Sequence, residues 1–225
     1  NTERRFQRVR KAIEPVEGSL ADWEITCRIA EEMGGKGFDY QHPSQIMDEI
    51  ATLAPCFGGI NYERLEKGGL QWPCPSVDHL GTPILHTKQF ACRKGKLTPL
   101  KYRPSEELPD KDYPLLLTTG RRLFHYHTGT MTRKTDGLNL FMGRERVQIN
   151  PADAEKLGLG NDDAIKVISR RGEVKAGVEI TRVVPPGVVY MSFHFAETPT
   201  NMITSCAVDP VTQTPEYKVC AVRIE

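Results

Sequence analysis

Apolar residues recur every three to four positions through the first third of the chain, which is the period of an amphipathic helix. The pattern predicts a short helix over residues 1–13. A second helix is predicted from an N-cap at Ser19 to Gly34, and a third over residues 44–53. The first third of the chain is therefore expected to be helical.

Glycine and proline interrupt this pattern further along, so little regular structure is expected over residues 68–83. The stretch 84–102 predicts a hairpin that turns at residues 93–96. A charged segment bounded by prolines follows. We place a domain boundary there, with one domain over residues 1–110 and a second over residues 111–225.

Short apolar or alternating runs dominate the second domain and predict β-strands. The run at residues 113–118 is continuously apolar and is expected to be buried on both faces. A hairpin is predicted around Arg171, and Asn150 is expected to cap a short helix that ends at Gly158. The other predicted strands cover residues 147–149, 188–195 and 220–225. Several short strands with one small helix favour a closed barrel, because closure removes unpaired strand edges.

The charge balance narrows the classes of partner. The 225 residues are 39% hydrophobic and 26% charged, with a net charge of +1. Proteins dedicated to nucleic acids or to anionic membrane surfaces carry a basic excess, so neither partner is expected. No apolar run is long enough to cross a bilayer, so direct membrane insertion is not expected either.

Six cysteines are scattered along the sequence without a C-x-x-C pair. A zinc or iron–sulfur site within these residues is therefore not expected. Scattered thiols in a chain of this length indicate small buried residues in a reducing compartment rather than disulfides, which favours the cytoplasm.

The densest group of polar residues follows the first strand of the second domain, where residues 119–133 read TGRRLFHYHTGTMTR. Gly120 lets the backbone approach a ligand closely, and Arg121 can form paired hydrogen bonds to a phosphate. His125 and His127 would point the same way on an extended segment. The stretch suits a polyanionic ligand such as a nucleotide, and the alternative is a solvated loop whose histidines bond locally. A metal at the histidine pair would need a third ligand, and none is close in sequence.

A second polar segment precedes the last predicted strand. Asn201 offers an amide that can both donate to and accept from the edge of a heterocycle. Tyr217 offers an aromatic face with a hydroxyl group, and Lys218 offers a positive charge. The alternatives are a turn or capping role for Asn201 and an ordinary surface position for Lys218.

Two separated motifs, matched in order, carry a family resemblance. The run TTGRRLFHYHTGTMTR at residues 118–133 and the later NMIT…DPVTQTPEYKVCAVR resemble the C-terminal part of the molybdopterin oxidoreductases. More narrowly, they resemble the catalytic subunit of a molybdenum- or tungsten-dependent formate dehydrogenase. The segments NTERRFQRVRKAIEP and GGLQWPCPSVDHLGTP resemble the region just upstream in the same enzymes, so the likeness spans essentially the whole chain.

The resemblance implies an α+β chain. Residues 1–110 would end the family's central α/β molybdopterin oxidoreductase domain, and residues 111–225 would form its six-stranded double-psi β-barrel. In such enzymes this barrel closes over two molybdopterin guanine dinucleotides around one molybdenum or tungsten ion. The resemblance also implies that Phe193 lies near the substrate route. The cofactor-binding residues that it implies are Thr119, Gly120, Arg121, His125, Tyr126, His127, Thr128, Met131, Thr132, Asn201, Tyr217 and Lys218.

The sequence departs from the family pattern in one respect. The family's cluster-binding cysteines are absent, as is the segment with the cysteine or selenocysteine that ligates the metal. We therefore interpret the chain as the C-terminal piece of a formate dehydrogenase catalytic subunit, inactive by itself, with an iron–sulfur cluster elsewhere in the full subunit. The partners implied are the rest of that subunit, iron–sulfur electron-transfer subunits, and formate or CO2. No catalytic residue or metal ligand is nominated.

Two alternative functions remain at this point. A nitrate reductase of the same family carries much the same run of residues after its first barrel strand, but the NTERR, LQWPCP and PEYKVCAVR motifs favour formate dehydrogenase. A barrel that binds a nucleotide without catalysis would form a separate module encoded by its own gene.

Overall fold

The computed structural model describes residues 1–225 in two units, Asn1–Pro99 and Leu100–Glu225. The boundary that we expected near residue 110 falls inside the second unit. Glu107, which precedes that boundary, is hydrogen-bonded to residues of the barrel. The Glu107 carboxylate accepts from the Arg171 guanidinium at 2.5 and 3.0 Å and from the Ala221 N–H at 2.7 Å. Burial alone would raise the pKa of Glu107, but these hydrogen bonds outweigh it and hold the pKa below its usual value.

The first unit contains three α-helices and two very short strands around a small apolar core. Its elements are β1 (Arg5–Phe6), α1 (Asp22–Glu32), α2 (Pro43–Leu53), a 3₁₀ helix (Pro55–Phe57), α3 (Tyr62–Glu66) and β2 (Leu70–Gln71). The two strands pair antiparallel. The buried core residues are Met47, Ile60, Leu65 and Cys74, with Phe6, Phe57 and Trp72 packed against them.

The second and third predicted helices are confirmed as α1 and α2, although the N-cap of α1 was wrong. α1 begins after Ala21, which forms no side-chain cap, rather than after Ser19. α2 begins after His42, whose ring accepts from the Ser44 N–H while Gln45 completes a capping box.

The helix predicted over residues 1–13 was wrong. Phe6 packs on Phe57 with the ring centroids 5.1 Å apart, whereas Val9 is 92% exposed and Ile13 is 82% exposed. Because Phe6 alone is anchored, the segment has no apolar face that a helix could bury. Arg5–Phe6 instead pair with β2 as strand β1.

The hairpin predicted over residues 84–102 was also wrong. One isolated bridge between Phe90 and Arg93 is all that forms. Ile84 and Leu97 remain 71% and 95% exposed, so no burial stabilises a pair of strands there.

The second unit is a closed six-stranded barrel, as predicted. Its strands are β3 (Leu115–Gly120), β4 (Arg146–Ile149), β5 (Ala164–Ser169), β6 (Gly172–Ile180), β7 (Val188–Ser192) and β8 (Cys220–Ile224), and they close in the order β3-β7-β4-β6-β5-β8. Between them lie α4 (Asp136–Phe141), α5 (Pro151–Leu157) and 3₁₀ helices at Thr132–Lys134 and Thr200–Met202. None of the helices in either unit has the length and apolar character that crossing a membrane requires.

Inward-facing side chains fill the barrel. Leu117, Val147, Ile149, Val167 and Val189 have no exposed surface. β3 alternates between buried and half-buried positions, so the prediction that it is buried on both faces was wrong. A barrel strand has one inward face, and only that face is fully covered.

Local signals around α5 and the β5–β6 hairpin are confirmed. The Asn150 side chain accepts from the Ala152 N–H at 3.0 Å and caps α5. Gly158 ends the helix with a φ of 68°, a left-handed conformation that glycine adopts without strain. β5 and β6 pair antiparallel from Ser169 and Gly172, the residues that flank the predicted turn.

The barrel topology brings two connections to one end, the one that follows β3 and the one between β7 and β8. β3 and β7 are parallel neighbours with Gly120 opposite Ser192, so the segments that follow both strands emerge together. β8 runs antiparallel to β3 with Cys220 opposite Leu117, so the segment that enters β8 arrives at the same end.

Candidate functional site

A cleft of about 430 Å³ opens where these two connections meet. Five residues predicted from the sequence line it: Arg121, His127, Phe193, Asn201 and Tyr217. Thr204, Ser205 and Pro215 complete the lining and were not predicted. The volume is in the range of sites that hold small organic ligands.

Arg121 and His127 supply hydrogen-bond donors on one side of the cleft, and Arg121 carries a positive charge. An Arg121 Nη atom lies 3.2 Å from His127 Nδ1, and both side chains are exposed. No carboxylate pairs with Arg121, so its charge is available to an anionic ligand. The Tyr190 hydroxyl donates to the Arg121 carbonyl at 2.7 Å. A Cβ at Gly120 would lie 2.9 Å from that hydroxyl oxygen, so the absence of a side chain at position 120 lets Tyr190 brace the backbone.

His125 does not face the cleft. Its side chain is only 5% exposed, its Nε2 lies 2.6 Å from the Met142 carbonyl, and its Nδ1 lies 3.1 Å from Thr132 Oγ1. The prediction that His125 and His127 point the same way was wrong. The segment turns rather than extends, and His127 has a φ of +49°.

The other predicted residues divide into two groups. Thr119 is buried, and its hydroxyl donates to the Tyr217 carbonyl at 2.9 Å, which ties β3 to the segment before β8. Thr132 also accepts from the Tyr126 N–H at 3.2 Å. The residues that are exposed and do not line the cleft are Tyr126, Thr128, Met131 and Lys218.

His194 is a site residue that the sequence did not reveal. It has no exposed surface, its Nε2 accepts from the Arg122 N–H at 2.8 Å, and its Nδ1 donates to the His127 carbonyl. Burial lowers the pKa of His194, and the nearby charge of Arg121 adds to this effect, against the opposing hydrogen bond to the His127 carbonyl. The neutral ring is the form that can accept from the Arg122 amide.

Glu145 is a second residue that the sequence did not single out. Its carboxyl is 3% exposed and accepts two hydrogen bonds, one from the Ser192 N–H at 2.9 Å and one from the Ser192 hydroxyl. Burial raises the pKa of Glu145, although the bonds from Ser192 and the charge of Arg122 oppose the shift. Glu145 thus holds the end of β7, directly before Phe193.

Ion pairs and hydroxyl contacts fix the segment after β7. The Arg133 guanidinium donates to both oxygens of Glu197 at 2.8 and 2.6 Å and lies 4.8 Å from the Phe195 ring. The Thr200 hydroxyl donates to the Ser192 carbonyl at 2.6 Å. The Arg133–Glu197 pair connects the segment after β3 to the segment after β7, and the Thr200 hydroxyl ties the latter to the end of β7.

A second cleft of about 720 Å³ contains none of the predicted site residues. Phe124 and Phe141 line it, with their rings stacked 5.1 Å apart. Its arginines are paired with carboxylates, Arg122 with Glu179 and both Arg144 and Arg146 with Asp162. Because each of those arginines already has a carboxylate partner and Arg121 has none, the smaller cleft is the better candidate for an anionic ligand.

No group of three or more His, Cys, Asp or Glu side chains is arranged to hold a metal ion. The histidine pair does not form such a site, because both ring nitrogens of His125 are hydrogen-bonded within the protein.

Comparison with known proteins agrees with the barrel. Residues 115–221 match the family described as the Molydopterin dinucleotide binding domain. The whole chain is 48% identical to the F420-dependent formate dehydrogenase subunit alpha of Methanocaldococcus jannaschii and 46% identical to the F420-dependent formate dehydrogenase 2 subunit alpha of Methanococcus maripaludis. It spans 34% of the length of each relative.

A solved structure shows the same fold. Acetylene hydratase from Pelobacter acetylenicus superposes with a TM-score of 0.70 at 16% sequence identity, covering 98% of this chain and 35% of that chain. The fold, the family match over the barrel and the identity to these alpha subunits agree. Residues 115–221 therefore form a molydopterin dinucleotide binding domain, and the whole chain is similar to part of the formate dehydrogenase alpha subunits.

Proposed function

We propose that this chain is the C-terminal part of a formate dehydrogenase alpha subunit. The cleft would hold part of a bis-molybdopterin guanine dinucleotide that carries molybdenum or tungsten. The carrying observation is the convergence of Arg121 and His127, from the connection after β3, with Asn201 and Tyr217, from the connection between β7 and β8, on one cleft beside the parallel ends of β3 and β7. Relatives 46% and 48% identical over the whole chain are formate dehydrogenases, which favours formate over nitrate as the substrate.

The side chains in the cleft fit such a ligand chemically. Arg121 and His127 can donate to pyrophosphate oxygens. Asn201 can donate to and accept from a pterin or guanine edge, and Tyr217 offers a flat face for stacking. A dinucleotide exceeds a cleft of about 430 Å³, so in this proposal these residues form one wall of a larger site completed by the rest of the subunit.

The remaining predicted residues take two roles in the proposal. Thr119, Gly120, His125 and Thr132 shape the backbone that presents Arg121 and His127. The exposed residues outside the cleft would contact the parts of the ligand that extend beyond it; these are Tyr126, Thr128, Met131 and Lys218. Phe193 lies in the cleft wall and would border the substrate route.

The proposed reaction is the two-electron interconversion of formate with CO2 and a proton. The bound cofactor supplies the redox chemistry. This chain contributes binding, orientation and the exclusion of water, and none of its residues is assigned a proton transfer. Residues 1–110 would end the central domain of the subunit, and residues 111–225 would close over the cofactor.

The wider assembly follows from the same proposal. Electrons would leave through an iron–sulfur cluster elsewhere in the subunit to iron–sulfur partner subunits. We extend the F420 dependence of the two relatives to this enzyme. The six cysteines are free, which is in keeping with a reducing compartment, and we place the enzyme in the cytoplasm.

Removal of the unpaired cation tests the proposal. In the full-length subunit, Arg121→Ala is expected to lower bound pterin, guanine nucleotide and metal per protein. A hydrogen bond to a charged group contributes about 1.5–3 kcal/mol, so cofactor affinity should fall by roughly 10- to 100-fold. Arg182→Ala is the matched control, because Arg182 is also an exposed arginine of the second unit but lies outside the cleft.

The measurement is metal analysis together with chromatography of the released nucleotide. Loss of cofactor in Arg121→Ala but not in Arg182→Ala supports the proposal. Equal cofactor content in both variants and the unmodified enzyme would remove Arg121 from the site. A full-length enzyme that contains no guanine nucleotide would refute the proposed function itself.

A further inference from the structure

The segment after β3 is held in an unfavourable shape by contacts from a distant part of the chain. We call residues 121–131 the β3 loop. His127 has a φ of +49°, in the left-handed region that costs free energy for a residue with a side chain. Gly129 has a φ of +73°, and a Cβ there would lie 2.8 Å from the His194 carbonyl oxygen. Such a conformation persists only where surrounding contacts enforce it.

His194 makes the contacts that enforce it. One ring nitrogen accepts from the N–H of Arg122, directly after Arg121, and the other donates to the carbonyl of His127. A single buried imidazole therefore fixes the backbone next to Arg121 and at His127, two residues of the cleft that can donate to an anion. These two hydrogen bonds hold the loop in the shape in which the Arg121 guanidinium lies 3.2 Å from the His127 ring.

We infer that His194 is the positioning residue of the cleft, a buried imidazole that sets Arg121 and His127 side by side for an anionic ligand. The inference rests on the proposed function for the identity of that ligand. His194 contacts only the protein, and it acts through the two loop residues. Each ring nitrogen holds a different point of the loop, so both contribute to the positioning.

Hydrogen exchange of the full-length subunit tests the inference directly. In the unmodified protein the Arg122 amide should be protected, while the amides of Leu123 and Phe124, which have no acceptor in the structure, should exchange quickly. An Arg122 amide that exchanges as fast as these two overturns the inference without any variant.

Substitution of the ring separates positioning from general stability. His194→Ala should speed exchange of the β3 loop by roughly tenfold, as expected for the loss of a buried hydrogen bond. Val147→Ala, a cavity in the barrel core, is the control and should not act selectively on the β3 loop. His194→Gln can restore the acceptor for Arg122, and His194→Asn can restore the donor to His127, so each should recover part of the protection. Loop exchange in His194→Ala no faster than in Val147→Ala overturns the inference.

Cofactor content distinguishes this inference from the proposed function. Faster amide exchange in the β3 loop together with loss of pterin and nucleotide supports both the positioning role and the proposed function. A faster β3 loop with unchanged cofactor supports the positioning role and refutes the loop as a cofactor site. An unchanged β3 loop refutes the positioning role, whatever Arg121→Ala shows. If His194→Ala fails to fold, the Gln and Asn variants and the unmodified Arg122 amide still decide the matter.

Discussion

Glu145 should make the end of β7 less stable as the pH rises. Its carboxyl is 3% exposed and bound to the Ser192 amide at 2.9 Å, and burial raises its pKa above the ordinary glutamate value. The folded protein therefore keeps this proton at pH values where the opened state has lost it. Stability is highest below the ordinary glutamate pKa and falls as the pH rises through the raised folded value.

The slope of this loss follows from proton linkage. Across the window between the two pKa values, each pH unit costs about 1.4 kcal/mol, which is a tenfold change in the opening equilibrium. Glu145→Gln keeps the geometry, since the amide oxygen can accept from the Ser192 N–H and the amide nitrogen can donate to its hydroxyl group. This variant carries no ionisable group and should lack the slope.

Amide exchange at Ser192 measures the effect from pH 5 to 8. The ratio of rates between the unmodified protein and Glu145→Gln cancels the intrinsic pH dependence of exchange, because both are compared at the same pH. The ratio should climb by up to about tenfold per pH unit and then level off. Glu155→Gln, at an exposed carboxylate of α5, should give a flat ratio. A flat or falling ratio for Glu145→Gln would show that its pKa is not raised.

Three further outcomes are expected. Glu107→Ala should lower the free energy of unfolding of the barrel by about 3–5 kcal/mol in urea titration, because its arginine partner is left largely buried and unpaired; a loss below about 1 kcal/mol would contradict this. Leu117→Ala, at a side chain with no exposed surface, should cost about 2–5 kcal/mol in the same titration, and a neutral result would place Leu117 outside the core. Gly129→Ala should speed exchange of the β3 loop more than Gly187→Ala speeds exchange of its own turn. Both glycines have positive φ, but only a Cβ at position 129 meets backbone, and equal effects would refute that contact.

Sequence signals predicted the elements whose cause is local. The β5–β6 hairpin follows from alternating apolar residues around a turn, and α5 follows from Asn150 at its start and Gly158 at its end. The family motifs also indicated five of the residues that line the cleft. For the hairpin and the helix, the informative residues lie within a few positions of the structure they determine.

The unpredicted part depends on pairings between distant segments. His194 acquires its role only because β7 lies parallel to β3, an arrangement that joins residues about seventy positions apart and leaves no periodic trace. His125 turns inward because the loop bends, whereas an extended backbone was assumed. The helix expected over residues 1–13 does not form, because the tertiary contact of Phe6 with Phe57 overrides the local pattern.

The position of β8 beside β3 has a consequence for synthesis of the protein. β3, which precedes the β3 loop, is synthesised about a hundred residues before β8, one of its two neighbours in the barrel. The β3 loop is therefore synthesised before β7 and β8, the two strands that pair with β3. A ligand that needs the finished cleft can therefore bind only after β8 has been made and has paired with β3.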